Sequence, residues 1–262
     1  MKRYLKIYQR LIKMNFAIIV AYRMGFINSI ISTIGWGVFQ IIWIYMLTYK
    51  TKSVFGWSRA ELIILAVCYV VIIAIFHLLF SRNFERLARI IDRGQLDALL
   101  LKPVDSQFLI SVWIIRYANF FRIAMGIGFL AFLINNLHIT ISALNVVGFL
   151  VLIIFGLVLL YSLWFIFSTF LIWFPQLTNL VDFLYTINGM SRYPTEMIKT
   201  LPFYLLPVLI PFTITIVTPT KALLGRILAG DVVGLILITF TLFYFSRVFW
   251  KFALRYYTSA SS

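Results

Sequence analysis

Long apolar stretches without charge constrain this chain more than any other feature. Residues 24–49 contain no charged side chain, and similar stretches recur along the rest of the sequence. About 20 apolar residues in helical form are enough to cross the hydrocarbon core of a bilayer. With 63% hydrophobic and only 12% charged residues, the chain has too few polar side chains to cover a soluble fold. The sequence therefore predicts an all-α integral membrane protein, with one transmembrane domain over residues 1–262.

Charged and proline-containing segments divide the apolar sequence into six predicted transmembrane helices. Five of them are about 20 residues or longer, which suits the thickness of a bilayer, and the fifth in chain order is shorter. The predicted spans are residues 24–49, 62–80, 115–134, 143–173, 175–190 and 232–250.

The N-terminal segment, residues 1–23, mixes apolar and basic side chains at helical spacing. Tyr4, Tyr8 and Leu11 recur on one helix face, and lysines and arginines fall mostly between such apolar positions. The pattern predicts an amphipathic elbow helix that lies along the membrane surface. A cytoplasmic basic tail without a fixed position at the surface is the alternative.

The longest polar stretch, residues 81–107, follows the second predicted span. Phe84, Leu87 and Ile91 give it one apolar helical face, charged residues cover the other faces, and Gly94 is typical of a helix end. A short charged helix of this kind fits a groove on a soluble partner, and a solvated loop is the alternative. The candidate docking residues are Glu85, Arg86, Arg89, Asp92, Arg93, Gly94 and Asp97.

Two charged residues fall inside predicted spans, Arg122 in the third and Asp182 in the fifth. Each lies about seven residues from the cytoplasmic end of its span, or about 10 Å, so the two share a depth. A charge in hydrocarbon costs several kcal/mol unless it is paired or hydrated. We predict that both face the bundle interior and can form an intramembrane charge pair. The alternative is that Arg122 extends its side chain to the interface.

The stretch before the last span, residues 191–219, is apolar but rich in proline. A straight spanning helix would lose backbone hydrogen bonds at the interior prolines. The sequence therefore predicts broken, re-entrant helices on the outer side, sheltered by protein. The residues that define this segment are Arg192, Pro194, Pro202, Pro207, Pro211 and Pro219.

Lysines and arginines are concentrated on one side of this topology, which carries residues 1–23, residues 81–107 and the C-terminus. Positively charged flanks mark the cytoplasmic side, so both termini are expected in the cytoplasm. The formal net charge of +15 therefore favours binding to membrane lipid head groups. Because the basic residues flank apolar blocks and do not line one polar face, we expect no nucleic-acid partner.

The sequence lacks the motifs of enzyme chemistry. It contains no GxxxxGK[ST] phosphate loop, no HExxH and no His/Cys cluster with metal-ligand spacing. We therefore predict that the chain is not an enzyme, and that it has no catalytic, cofactor-binding or metal-binding residues.

The order of these elements resembles the permease subunit of ABC type-2 exporters. Residues 93–104, RGQLDALLLKPV, are similar to the G-x-L-D-x-L-L-L-[KR]-P signature of one bacterial subfamily. Residues 192–197, RYPTEM, followed by Pro211 and by residues 219–226, PTKALLGR, resemble its second signature. The resemblance covers the whole chain in layout.

This resemblance implies a permease that works with a separate ABC ATPase subunit, which carries the ATP and magnesium. A second permease, identical or related, completes the pair. Residues 83–93 correspond to the coupling helix that contacts the ATPase, and residues 191–219 to the helices that cap the exit path. The implied function is export of an amphiphilic or lipid-like substrate across a bacterial plasma (inner) membrane.

Three other classes stay open at this point: a secondary transporter, a membrane-bound enzyme and a membrane scaffold without an ATPase partner. A secondary transporter would need inverted repeats and an ion site inside the membrane, and the sequence has no convincing internal repeat. The cargo and the choice between homodimer and heterodimer also stay open, and the direction of transport follows from the resemblance alone.

Overall fold

The computed structural model describes residues 2–50, 53–137, 139–177 and 179–257, most of which are helical. Residues 51–52, 138 and 178 and both extreme ends of the chain lie outside the described residues. The predicted elbow and the predicted fifth span are therefore each described only in part.

Helices follow one another along the described chain, interrupted by one small hairpin. The helices are α1 (Lys2–Ala21), α2 (Arg23–Leu47), α3 (Arg59–Phe76), α4 (Arg82–Asp92), α5 (Leu96–Leu100), α6 (Ser106–Val112), α7 (Asn119–Asn136), α8 (Ala143–Thr169), α9 (Leu180–Met190), α10 (Thr195–Ile198), α11 (Leu206–Leu223) and α12 (Ala229–Leu254). Strands β1 (Ser53–Val54) and β2 (Trp57–Ser58) pair antiparallel. A π-helical segment, His77–Ser81, joins α3 to α4, and 3₁₀ turns lie at Phe170–Ile172 and Phe203–Leu205.

Six helical stretches in the described part of the chain are long and apolar enough to cross a membrane. The all-α class and the number of spans are thereby confirmed. Four of the six agree with predicted spans to within a few residues at each end, whereas the second continues to Asp92, well past its predicted end at residue 80. The six stretches are Arg23–Leu47, Arg59–Asp92, Asn119–Asn136, Ala143–Ile172, Phe203–Leu223 and Ala229–Leu254.

The fifth stretch differs from the sequence prediction. Among the described residues of 175–190, the one helix is α9, whose 11 residues are too short to cross a bilayer. Over residues 191–219, where broken helices are predicted, the chain forms the short α10 and a 3₁₀ turn, and then continues as the uninterrupted α11. The prediction of a span at 175–190 is therefore wrong. The segment 191–219 is broken as predicted only before Leu206, and from there it is one continuous helix through Pro211 and Pro219.

The prolines of α11 are accommodated by their position and by close packing. Pro207 lies in the first turn, where a backbone N–H has no helical acceptor. Pro211 and Pro219 lie inside the helix, and Pro219 removes the usual donor to the carbonyl of Thr215. That carbonyl faces Gly156 of α8 so closely that a Cβ at Gly156 would lie 2.6 Å from its oxygen. A glycine Cα–H is a weak donor to a carbonyl, so this close approach offsets part of the lost hydrogen bond.

Helix α3 lies at the centre of the bundle and is buried along most of its length. Its side chains are apolar on all faces, as expected for a helix surrounded by protein. It contacts α2, α7, α8 and α11, whereas α8 packs mainly against α11 and α12. The bundle therefore consists of two groups, α2–α3–α7 and α8–α11–α12, which meet along α3.

The first and last helices reach the same end of the bundle, which we call the elbow end. The side chain of Asn15 in α1 donates to the carbonyl of Trp113, at 2.9 Å. Arg247, near the end of α12, forms an ion pair with Asp105, the N-cap of α6. Both contacts involve the segment around α6, so the elbow end also contains the connection between α4 and α7.

The opposite end, which we call the hairpin end, is held by ion pairs around β1 and β2. The indole of Trp57 donates to Glu196 of α10, at 3.1 Å, and Lys221 of α11 donates to the same carboxylate, at 2.9 Å. Arg226 pairs with Glu61 of α3, at 2.6 Å. These contacts join the hairpin, α3, α10 and the α11–α12 connection.

We predict that Gly156→Ala destabilises the protein, because the added Cβ would force α8 away from the carbonyl of Thr215. The expected cost is about 1–3 kcal/mol, seen as a lower unfolding temperature in a nonionic detergent. The matched control is Gly128→Ala in α7, where a Cβ meets no atom within 4 Å. An equal loss of stability in both variants would contradict this account of the α8–α11 contact.

We predict a pH-dependent role for Asp105. The hydrogen bond from Arg247 lowers the pKa of Asp105, the backbone N–H of Phe108 adds to this effect, and partial burial opposes it. Because the pKa is lower in the folded protein, the ionised carboxylate stabilises the fold above its unfolded pKa of about 3.9. That contribution is lost as the pH falls through the folded pKa.

The variant Asp105→Asn should therefore unfold at a lower temperature than the wild type at about pH 7, and the difference should shrink below about pH 4. The difference in unfolding temperature is measured in detergent between about pH 3 and pH 7. Asp92→Asn, which changes an exposed carboxylate at the end of α4, is the control and should match the wild type. A deficit of Asp105→Asn that stays constant with pH would argue against the ion pair.

Candidate functional site

The charged segment after the second span is a direct continuation of that span. Helix α3, the π-helical segment and α4 form one uninterrupted helix of 34 residues, Arg59–Asp92. At 1.5 Å per residue this helix is about 50 Å long, whereas the hydrocarbon core is about 30 Å thick. The helix therefore extends well beyond the apolar core, and α4 is its charged extension at the elbow end.

The apolar face of α4 packs against the protein itself. Phe84 and Leu87 are buried, and the ring of Phe84 lies 5.7 Å from that of Trp164 in α8. The side chain of Asn83 donates to the carbonyls of Ser111 and Ile114, both at 3.0 Å, and so attaches α4 to the segment before α7. The bundle therefore covers the apolar face of α4, and only the other faces of this helix are left for a partner.

The exposed side of α4 keeps part of the predicted docking set. Arg89, Asp92 and Arg93 are exposed, whereas Arg86 is half-buried with its guanidinium 4.1 Å from the ring centre of Trp113. Glu85 turns inward, where it accepts a hydrogen bond from the hydroxyl of Tyr185, at 2.8 Å. The sequence predicts Glu85 on the exposed docking surface. In the structure it lies instead against Tyr185.

The segment that resembles the first signature forms a turn and the short helix α5. Gly94 has φ = +63°, a conformation that glycine adopts without strain, and it ends α4. Leu96 and Leu99 are buried and Asp97 is half-buried, whereas the side chain of Leu101 is 84% exposed. We call the exposed side chains of Arg89, Asp92, Arg93 and Leu101 the docking face.

A second arrangement that sequence reasoning missed lies beside the docking face. Arg86, Arg89, Arg93 and Lys102 surround one surface pocket together with Trp113, over whose ring Lys102 also lies, at 4.4 Å. No acidic residue lines this pocket in the described part of the chain. The elbow end is therefore strongly basic around α4 and α5, as predicted for a cytoplasmic surface.

A polar cavity of about 500 Å³ lies between α2, α3, α7 and α9. Arg116, Arg122 and Arg192 line it, and Glu85 is the one carboxylate among the described residues in its wall. The remaining lining residues are Ser32, Thr33, Trp36, Gln40, Tyr69, Ile73, His77, Tyr185 and Asn188. Among the predicted site residues, Glu85, Arg122 and Arg192 line it. Arg116 and His77 stand near span ends in the sequence, where charge is ordinary.

Arg122 lies inside the bundle, as predicted, but the predicted pair with Asp182 is not formed within the chain. Arg122 is 2% exposed, whereas Asp182 lies on the exposed side of α9. No carboxylate lies within salt-bridge distance of Arg122 among the described residues, and its Nε and Nη2 are buried without a hydrogen-bond partner there. The prediction compared only depths, and depth does not determine which way a helix face points.

The proline-containing segment contributes to this cavity through Arg192. Its guanidinium lies 5.3 Å from the ring centre of Tyr69 in α3, and its Nε donates to the carbonyl of Gly189. Pro194 and Pro202 precede α10 and the 3₁₀ turn, respectively. Among the described residues, no group of three or more potential metal ligands is found.

A family model described as "ABC-2 family transporter protein" matches residues 34–261. No curated protein and no solved structure matches the chain significantly. The matched range runs from within α2 to beyond α12, and so it contains the docking face and most of the cavity wall. The chain therefore belongs to the family of ABC-2 transporter proteins.

Proposed function

We propose that this chain is the transmembrane permease subunit of an ATP-driven exporter, in which a separate subunit hydrolyses ATP. Membership of the ABC-2 transporter family supports a permease role. The observation that carries the rest is the uninterrupted helix Arg59–Asp92, which connects the centre of the bundle to an exposed charged surface. A stiff helix of this kind transmits a displacement at one end to the other.

The docking face is the proposed contact with the ATPase. Arg89, Asp92 and Arg93 offer both signs of charge, and Leu101 offers an apolar side chain that the chain leaves uncovered. ATP and magnesium belong to the partner, and ATP-dependent closure of two ATPase subunits would move α4 as a lever. Asn83 makes this lever effective, because it ties α4 to the segment that leads into α7.

The assembly is proposed to contain two permeases, identical or related, in a bacterial plasma membrane. The cargo is proposed to be amphiphilic or lipid-like and to pass between the two chains. The basic elbow end is proposed to face the cytoplasm, because lysines and arginines are retained on that side of a membrane. Both α1 and the end of α12 would then lie on the cytoplasmic side.

One observation favours a different class. Glu85, His77 and Arg122 line the same cavity, and clusters of ionisable groups inside a membrane are typical of ion-coupled secondary transporters. A secondary transporter, or a membrane scaffold, would have no ATPase partner. The presence of an ATP-hydrolysing subunit therefore separates these alternatives from the proposed function.

We predict that the double variant Arg89→Glu/Arg93→Glu loses its ATPase partner, because the charge of the docking face is reversed. The measurement is ATP hydrolysis that co-purifies with the permease from gently solubilised membranes of the native source, per mole of permease. At least about a tenfold loss is expected, the size that one lost charge-assisted contact of about 1.4 kcal/mol produces.

The matched control is Lys6→Glu/Arg10→Glu, which reverses two exposed charges on α1 at the same end of the bundle. This variant should retain the ATPase. Equal retention in both double variants would refute the docking face, and a wild-type permease that never co-purifies with an ATPase would refute the proposed function.

A further inference from the structure

The cavity between α2, α3, α7 and α9 carries positive charge that the chain does not balance. Three arginines line it against one carboxylate, Glu85. Both oxygens of Glu85 already have partners, since Oε1 accepts from Tyr185 and Oε2 from Arg82. None of Arg116, Arg122 and Arg192 forms an ion pair among the described residues. Arg122 is buried, whereas Arg116 and Arg192 are half-buried. A buried charge without a partner is strongly unfavourable, so the position of Arg122 favours a bound anion.

The cavity also presents polar atoms that lack a partner. The donors without a partner are Nε and Nη2 of Arg122, and Nε2 of His77 also lacks one. Oε1 of Gln40 and Oδ1 of Asn188 are acceptors without a partner, which a hydroxyl group of a ligand would satisfy. Arg122, Gln40 and Asn188 are each at most 3% exposed and all line the cavity. Buried polar groups are otherwise hydrogen-bonded in nearly all cases. A ligand with several acceptor oxygens would satisfy the guanidinium donors of Arg122 in the bidentate geometry that arginine prefers.

Aromatic side chains of α2 border the cavity where it opens to the surface. Trp36 of α2 lines the cavity and is 56% exposed, and it stacks against the exposed Phe39 at 5.6 Å between ring centres. Gly37, on the same helix, allows α2 to lie against Arg122, because a Cβ there would come within 3.4 Å of its side chain. The cationic interior and the aromatic rim together match a molecule with an anionic head and an apolar tail.

We propose that this cavity binds the anionic, phosphate-type head group of an amphiphile, with the tail directed past Trp36 to the lateral surface of the bundle. If the chain is the exporter permease proposed above, on which this inference rests, its cargo is an anionic amphiphile. The excess of arginine over carboxylate in the cavity wall disfavours a cationic ligand at this site.

The test uses the purified full-length permease with any ATPase that remains bound, in a nonionic detergent. Dioleoylphosphatidylglycerol and dioleoylphosphatidylcholine are added separately, since they share their tails and differ in head-group charge. Binding is measured as the concentration-dependent rise in unfolding temperature, and with brominated tails as quenching of tryptophan fluorescence. We expect the anionic lipid to bind at least about tenfold more tightly than the zwitterionic lipid, the ratio that about 1.4 kcal/mol gives.

Two variants locate the site. Arg122→Gln should weaken binding of the anionic lipid by about tenfold or more, as expected for the loss of a charge-assisted contact. Arg116→Gln tests the same cavity if Arg122→Gln fails to fold. The half-buried Arg116 guanidinium makes no hydrogen bond or ion pair in the described part of the chain, so its loss should not disturb folding. Arg116→Gln should also weaken binding of the anionic lipid. Arg255→Gln, which removes an exposed charge directly after α12 and outside both the cavity and the docking face, should bind like the wild type.

Equal affinity for both lipids, or wild-type affinity in both cavity variants, would overturn the proposal. If inorganic phosphate raises the unfolding temperature and neither lipid does, the ligand is a free anion and the proposal of an amphiphile is refuted. An Asp182→Asn variant that loses stability and lipid binding as Arg122→Gln does would indicate that a carboxylate from a second copy balances Arg122, and would also overturn it. If the permease binds the anionic lipid but no ATPase, the proposed function is refuted and the anion site is supported. If it binds an ATPase but not the anionic lipid, the proposed function is supported and the anion site is refuted.

Discussion

Hydrocarbon offers no hydrogen-bond partner and little solvation for charge, and this constraint governs most of the structure. It requires that each span be a helix whose backbone bonds to itself. It also explains the treatment of the prolines in α11, where the carbonyl freed by Pro219 lies against the bare Cα of Gly156. Buried hydroxyl groups such as those of Ser162 and Thr239 donate to carbonyls of their own helices, whereas Arg122, Gln40 and Asn188 line one cavity.

The cavity and the docking face belong to one mechanical unit. His77, in the π-helical segment, and Glu85, on α4, both line the cavity, while Arg89 and Asp92 are exposed on the next turns of the same helix. π-helical segments are frequent at functional positions, because the extra residue shifts side chains relative to a regular helix. A displacement of α4 by a partner would therefore move groups that face the cavity, and a ligand in the cavity would bias the position of α4.

The sequence predicts the features that depend on composition and length, and fails where the outcome depends on which way a side chain points. Apolar length is sufficient to give the all-α membrane class and six spans. Glu85 was expected on the surface and Asp182 in the interior, and the structure exchanges these environments because burial depends on rotation about the helix axis. The location of the fifth span was missed because prolines in α11 are tolerated through a contact with Gly156 that only the packed bundle provides. The cavity itself combines Arg116, Arg122 and Arg192 from distant parts of the chain, which no local pattern joins.

The central claim is that the docking face lies in the cytoplasm and receives an ATPase, and thiol labelling tests it most directly. The natural Cys68 is fully buried, so Leu101→Cys and Ser53→Cys each introduce an accessible thiol, at the elbow end and in the hairpin respectively. A membrane-impermeant maleimide should label the Leu101→Cys thiol only in inside-out vesicles and the Ser53→Cys thiol only in intact cells. A thiol-specific photo-crosslinker on the Leu101→Cys variant should capture an ATP-hydrolysing chain. Labelling of the Leu101→Cys thiol from outside intact cells would contradict the account.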